Sequence, residues 1–446
     1  MPTSLSLVLP LSTPRTARPH TPWLLLLALA ACPVLAQAQG PRLDAELEAR
    51  VIEWRRDIHA HPELSNRETR TAKLVDDHLR GLGIATRTGV AHTGVVGVLE
   101  GAKPGPVIAL RADMDALPVT ERVDLPFASE VRATYLGQEV GVMHACGHDT
   151  HVAMLMGAAE VLAGMRDELA GTVVFLFQPA EEGAPPGEEG GAELMVREGA
   201  LRDPDVDAAF GIHINSQTPV GTIKYRPRGT MAAADRFVID VHGKQAHGSR
   251  PWQSVDPIVT GAHIVTALQT AVSRNAELTK AGVVVTVGKF DAGVRNNIIP
   301  ESAQLVGTIR TLDTAMQRRV HADVRRIARG VAEAMGATVD VEIKSHVPVT
   351  FNDPDLTAQL LPTLQRAAGA DNVKLVDAVT GAEDFSFYAN EVPALFVFVG
   401  GMDPALSPGE AAGHHTPDFR IDERGLALGV RTYVNVALDY LAAGAR

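Results

Sequence analysis

The sequence predicts an α/β protein in two parts: a large domain on a mostly parallel sheet and, inserted into it, a ferredoxin-like domain of β-α-β-β-α-β order. Three observations lead there. Short apolar, β-rich runs alternate with helical stretches through the first half, the order of elements changes between about residues 230 and 346, and the alternating character then returns. The implied division is residues 39–229 and 347–446 for the large domain and 230–346 for the insertion.

From about Leu43 to Leu82, apolar residues at three- and four-residue spacing (Val51, Ile52, Ile58, Leu74, Val75, Leu79) predict helix, ended by Gly81 and Gly83. Val95 to Leu99, Val107 to Leu110, Val173 to Phe177 and Ala208 to Ile214 read as buried strands, separated by amphipathic stretches such as Val152 to Met165. In the insertion, Phe237 to Val241, Val283 to Val287, Ala303 to Ile309 and Thr338 to Ile343 read as strands, with helices over Pro257 to Val272 and Val320 to Met335. A helix around Leu356 to Ala367 and a strand at Ala394 to Val399 complete the large domain. The acidic, Gly- and Pro-rich stretch Glu181 to Gly191 suits a loop at a strand end.

Composition narrows the function classes. With 46% hydrophobic and 21% charged residues the chain is globular, and 446 residues suffice for two domains with a site between them. The net charge of -12 and the lack of a basic run with interleaved aromatics argue against nucleic acid as a partner. Arg15 and Arg18 precede an apolar run, Trp23 to Ala31, too short to span a bilayer, so residues 1–38 read as a signal peptide for export to the periplasm or beyond. Ala36-Gln37-Ala38 offers a signal-peptidase site, and Leu29-Ala30-Ala31-Cys32 the alternative of a lipoprotein acylated at Cys32. Cleavage after Ala38 leaves Cys146 as the only cysteine, a thiol with no disulfide partner in its own chain.

Four constellations carry chemistry. Met143-His144-Ala145-Cys146-Gly147-His148-Asp149-Thr150-His151 places a thiol and imidazoles at a loop-to-helix junction, where a turn through Gly147 can aim Cys146 and His148 at one point. Phe175-Leu176-Phe177-Gln178-Pro179-Ala180-Glu181-Glu182-Gly183 sets adjacent carboxylates at the carboxyl end of a buried strand, the edge where α/β sheets bind ligands. Phe210-Gly211-Ile212-His213 ends another apolar run with an imidazole, and Gly413-His414-His415-Thr416-Pro417-Asp418-Phe419 follows near the C-terminus. Each alone has an ordinary structural explanation. On matching edges of one sheet they point jointly to a metal site.

The sequence resembles the metal-dependent amidohydrolases that include hippurate hydrolase, bacterial N-acyl-amino-acid amidohydrolases and plant hydrolases of indole-acetyl amino acid conjugates. Further matching motifs are Arg111-Ala112-Asp113-Met114-Asp115-Ala116-Leu117-Pro118, Gly243-Lys244-Gln245-Ala246-His247 and Asn297-Ile298-Ile299-Pro300. The resemblance implies two divalent metal ions on Cys146, His148, Glu182, His213 and His415, Glu181 as general acid/base, Asn297 and Arg310 in substrate binding, and a homodimer formed through the inserted domain, which acts as a lid. It also implies that His247 holds the substrate carbonyl, often in the partner subunit's site. Arg111 stands where the dipeptidase and aminoacylase branch has a histidine ligand, and His414 competes with His415 for the last ligand position.

These residue types suit amide hydrolysis, in which a divalent ion activates water and a nearby carboxylate moves its proton. Thiolate and imidazole favour zinc, and the carboxylate and water positions also accept manganese. Asp149 is placed to orient a ligand imidazole, while His59 and His61 are assigned to packing or capping. The expected substrate is a small N-acyl amino acid or conjugate. The alternatives are an exported metal-dependent dipeptidase or carboxypeptidase, a thiol hydrolase with Cys146 as nucleophile, and a metal storage or sensing protein.

Overall fold

The computed structural model describes residues 43–444; the predicted signal segment, with the Ala38 and Cys32 processing sites, lies outside the described residues. The large domain is built on an eight-stranded sheet in the order Ala85–Val90, Gly94–Glu100, Ala170–Gln178, Lys103–Asp113, Ala208–Pro219, Ala394–Met402, Ile223–Tyr225, Val373–Leu375. The central strands, Ala170–Gln178 through Ala394–Met402, are parallel, and antiparallel pairings begin on either side of them. These strands are apolar throughout because both faces are covered. Ile108 and Leu110 enter one core and Ala109 the other, as do Val173 and Phe175 against Val174 and Leu176.

The single helical stretch predicted from Leu43 to Leu82 is two helices, Ala45–Ala60 and Thr69–Gly81. Pro62 cannot continue the first, Asn66 takes a left-handed φ of 61°, and Glu63 starts the second by accepting the Arg70 and Thr71 backbone N–H groups, both at 2.9 Å. The helix predicted from Val152 spans His148–Gly164 and is buried on nearly every side, against Ala45–Ala60 and Leu426–Gly444. Periodicity did not anticipate the latter helix.

The insertion forms its own four-stranded antiparallel sheet, ordered Val283–Ala292, Ser302–Thr311, Ala233–His242, Thr338–Val347, the split pattern of a ferredoxin-like domain. Helices Pro257–Thr270 and Thr314–Ala334 cover one face around a separate core that includes Phe237, Ile264, Leu305 and Val324. The chain enters and leaves through paired backbone, Arg228–Met231 against Thr350–Asn352 and then Ala234 against Val347. Among the described residues no helix is long and apolar enough to cross a membrane.

Candidate metal centre

The four constellations converge at the carboxyl ends of the central strands. Gly147 makes the first possible: its φ is 96°, and a Cβ there would stand 2.4 Å from Ile214 Cγ2, so only glycine lets the chain turn tightly from Cys146 into the helix carrying His148. After strand Ala170–Gln178, Ala180 adopts a left-handed φ of 52°, held by its N–H donating to buried Glu68 at 2.9 Å, and this turn delivers Glu181 and Glu182.

Cys146 is the meeting point. Its Sγ lies 3.4 Å from His213 Nε2 and 3.3 Å from His415 Nε2, and His415 Nε2 is 3.0 Å from Glu182 Oε1. Donor atoms of Cys146, His148 and His213 fall within 4.8 Å of one another, as do those of Cys146, Glu182 and His415, and of His148, Glu181 and Glu182.

Hydrogen bonds set the rings. His148 Nδ1 meets Asp115 Oδ1 at 3.2 Å, and its buried Nε2 has no hydrogen-bond partner among the described residues. His213 donates through Nδ1 to the Ile214 carbonyl at 2.5 Å, which leaves Nε2 with its lone pair facing the cluster. His151 is used up: Nε2 accepts from Ile214 N–H at 2.8 Å and Nδ1 donates to Asp113 at 2.5 Å. So is His414, whose Nε2 accepts from Ser216 N–H at 3.2 Å while Nδ1 donates to the Cys146 carbonyl at 3.1 Å. Of the two adjacent histidines, His415 turns Nε2 to Cys146 and Glu182, whereas both nitrogens of His414 are bonded to backbone groups.

The electrostatics suit a cation. Burial alone would lower the His148 pKa, yet Asp113, then Asp115 and Glu182, push it up to about 10. Burial, followed by Glu182, Glu181 and Asp113, drives the Cys146 thiol well above its ordinary range. Burial and the carboxylates of Glu383, Glu182 and Asp384 raise Glu181 well above the usual range, with Arg111 opposing.

Several contributors were not assigned from the sequence. Arg111, in place of the histidine ligand of the other branch, is buried and bonded to Asp113 at 2.6 Å, to Asp384 and Glu383 at 2.9 Å and to Gln178 at 2.8 Å. Glu383 and Asp384 carry no motif that marks them in the sequence. The orientation of a ligand imidazole expected of Asp149 falls instead to Asp115; Asp149 turns away to Arg55 at 2.8 Å and His59 at 2.9 Å. His59 also meets Glu121, and His61 bonds to the Asp57 carbonyl, so both lie outside the cluster.

The cluster opens into a cavity of about 710 Å³ lined by Glu181, Glu182 and His213 and also by Arg310 and Ala234 of the inserted domain. Arg310 therefore faces the site, whereas His247 and Asn297 are exposed and lie elsewhere on the insertion, beside each other through the Gly248 N–H to Asn297 carbonyl bond at 2.9 Å.

A profile of peptidase family M20/M25/M40 matches residues 109–439. The chain is 39% identical to thermostable carboxypeptidase 1 of Saccharolobus solfataricus, over 89% of this chain and 96% of that one. It is 37% identical to an N-acetylcysteine deacetylase of Bacillus subtilis, over 89% and 98% respectively. Among solved structures it is similar to a dinuclear metal-binding peptidase from the M20 family of Bacillus subtilis, with a TM-score of 0.75 and 35% identity over 90% of this chain and 99% of that one.

Proposed function

Because the chain belongs to peptidase family M20/M25/M40 and is a metal-dependent amidohydrolase, we propose that it hydrolyses the amide bond of N-acyl amino acids or similar small conjugates, with Glu181 as general acid/base. The observation that carries this reading is the different surroundings of two adjacent carboxylates. Glu182 is turned to His415 and Cys146, while Glu181 faces His148 and the Glu383–Asp384 pair on the cavity wall and stays free to move a proton.

The donor set fits divalent ions, since His148 and His213 each commit Nδ1 to an acceptor and present Nε2. Cys146, His148, Glu182, His213 and His415 would hold two of them, zinc ahead of manganese on the softness of a thiolate with imidazoles. Such ions supply Lewis acidity that polarises an amide carbonyl and lowers the pKa of water. Glu181 takes the proton from the attacking water and delivers it to the leaving nitrogen. Arg310, with no ion-pair partner among the described residues, receives the substrate carboxylate.

His247 and Asn297 are assigned to the site of a second subunit in a homodimer joined through the inserted domains. Supporting this is the apolar surface around them, where Trp252 is 76% exposed, Val294 97%, and Ile298, paired with His247, 36%.

The relative named a carboxypeptidase favours a second reading, cleavage of the C-terminal residue of small peptides. Incubating metal-loaded protein with acetyl, benzoyl, phenylacetyl and indole-acetyl amino acids and with dipeptides, and identifying products by mass spectrometry, separates the two. Release of free amino acid from the acyl conjugates supports the first; cleavage of peptides alone would overturn it.

A further inference from the structure

The cavity holds a second cation that the chemistry above does not use. Lys224, on strand Ile223–Tyr225, lines the same space as the cluster. Strand register sets its place relative to the centre: His213 pairs with Phe398 on one side, and Phe398 pairs with Lys224 on the other. Directly paired residues share a sheet face. His213, Phe398 and Lys224 therefore form a row across three strands, and two strand spacings separate the lysine backbone from the histidine by about 10 Å.

Lys224 has no ion-pair partner among the described residues. Burial lowers its pKa and no neighbouring carboxylate contributes to the shift. Of the cavity carboxylates, Glu383 and Asp384 are engaged with Arg111, Glu182 with His415 and Asp377 with Arg226 at 3.7 Å, while Glu181 faces His148. Phe398 stands between the two in that row, and Met231 and Val379 add apolar surface to the same cavity. A half-buried ammonium at the end of an apolar wall awaits an acidic group.

We propose that Lys224 is a specificity-determining residue that reads a second acidic group on the substrate, so that the favoured class is amide conjugates with two carboxylates, one for Arg310 and one for Lys224. This rests on the amide-hydrolase reading above. The second acid can come from a dicarboxylic amino acid or from a dicarboxylic acyl group, and isosteric pairs distinguish them: N-acetylglutamate against N-acetylglutamine, and N-succinylalanine against its succinamoyl counterpart.

The readout is the ratio of kcat/KM within each pair for wild type, Lys224→Met, Lys224→Arg and Lys224→Glu. Each ratio comes from one preparation, so an inactive fraction cancels. The expected result is a preference of about tenfold or more for the acid in one pair, on the scale of one charge-assisted hydrogen bond, lost in Lys224→Met, kept in Lys224→Arg and inverted in Lys224→Glu. No preference for acid in either pair, or a preference unchanged in Lys224→Met, overturns the assignment while hydrolysis of neutral conjugates stands. If the metal-loaded protein cleaves neither these conjugates nor the acetyl, benzoyl, phenylacetyl and indole-acetyl amino acids above, the amide-hydrolase reading itself falls, and this one with it.

Discussion

The imidazole of His148 and the carboxylate of Asp115 are joined at 3.2 Å, and the same carboxylate accepts the backbone N–H groups of Glu181 at 3.1 Å and Glu182 at 3.0 Å. One buried side chain thus aims both the helix and the strand-end turn at the cluster. Burial opposes its charge, but His148, the Glu182 N–H and the Ser65 hydroxyl keep its pKa below the ordinary value. Asp115→Ala should weaken metal binding about 10- to 100-fold, with Asp115→Asn intermediate. Competition against a chromophoric chelator measures this, and unchanged affinity in the alanine variant would refute the positioning role.

Glu181→Gln keeps the shape of the side chain but cannot carry a proton. Turnover should fall about 100- to 10,000-fold at unchanged metal content. Substantial activity in a metal-replete variant would sink the assignment.

Cys146→Ser puts a hydroxyl, which stays protonated at neutral pH, where the two triads that contain Cys146 would use a thiolate. Activity should fall chiefly because metal is lost. Full metal content by elemental analysis would show that Cys146 is not a ligand.

His247→Ala should lose kcat far more than metal, by about 3 kcal/mol if the ring steadies a developing oxyanion. Mixed with Glu181→Gln under conditions where subunits exchange, it should regain activity, because one of the two sites in a mixed dimer is then intact. A mixture that stays inactive despite exchange places His247 outside a shared site.

The buried Arg55–Asp149–His59 group predicts a pH signature. Burial works against the Asp149 charge, yet Arg55 and His59 hold its carboxyl well below the ordinary 3.8. A depressed carboxylate pKa contributes stability above the unfolded value and loses it as pH falls through the folded one. Asp149→Asn should therefore cost about 3 to 5 kcal/mol at neutral pH, and its deficit against wild type should shrink below about pH 4. Urea unfolding across that range tests it; a deficit constant down to pH 3 contradicts the account.

Much of the site was legible because its chemistry is concentrated in residue types that stand out. Glu182 and His213 follow recognisable apolar runs, Cys146, His148 and His415 stand in segments dense in histidine, and the fold brings them together. Asp115, Glu383 and Asp384 were silent as roles because carboxylates are common on surfaces, and only burial against Arg111 and His148 distinguishes them. The choice between His414 and His415 depends on backbone groups of Cys146 and Ser216, which no local pattern reveals. The Leu43 to Leu82 stretch looked continuous because apolar spacing runs on through Leu64, although Pro62 breaks the backbone.

The pairing of Ala234 with Val347 at the base of the inserted domain has an evolutionary consequence. Cross-strand partners lie about 5 Å apart, so the chain leaves the insertion almost where it entered, and the insertion's core shares no residue with the others. It is a cassette. Exchange of this segment between relatives would carry His247, Asn297 and Arg310 together while leaving Lys224 and the cluster in place, so one part of the cavity wall can change without rebuilding the other.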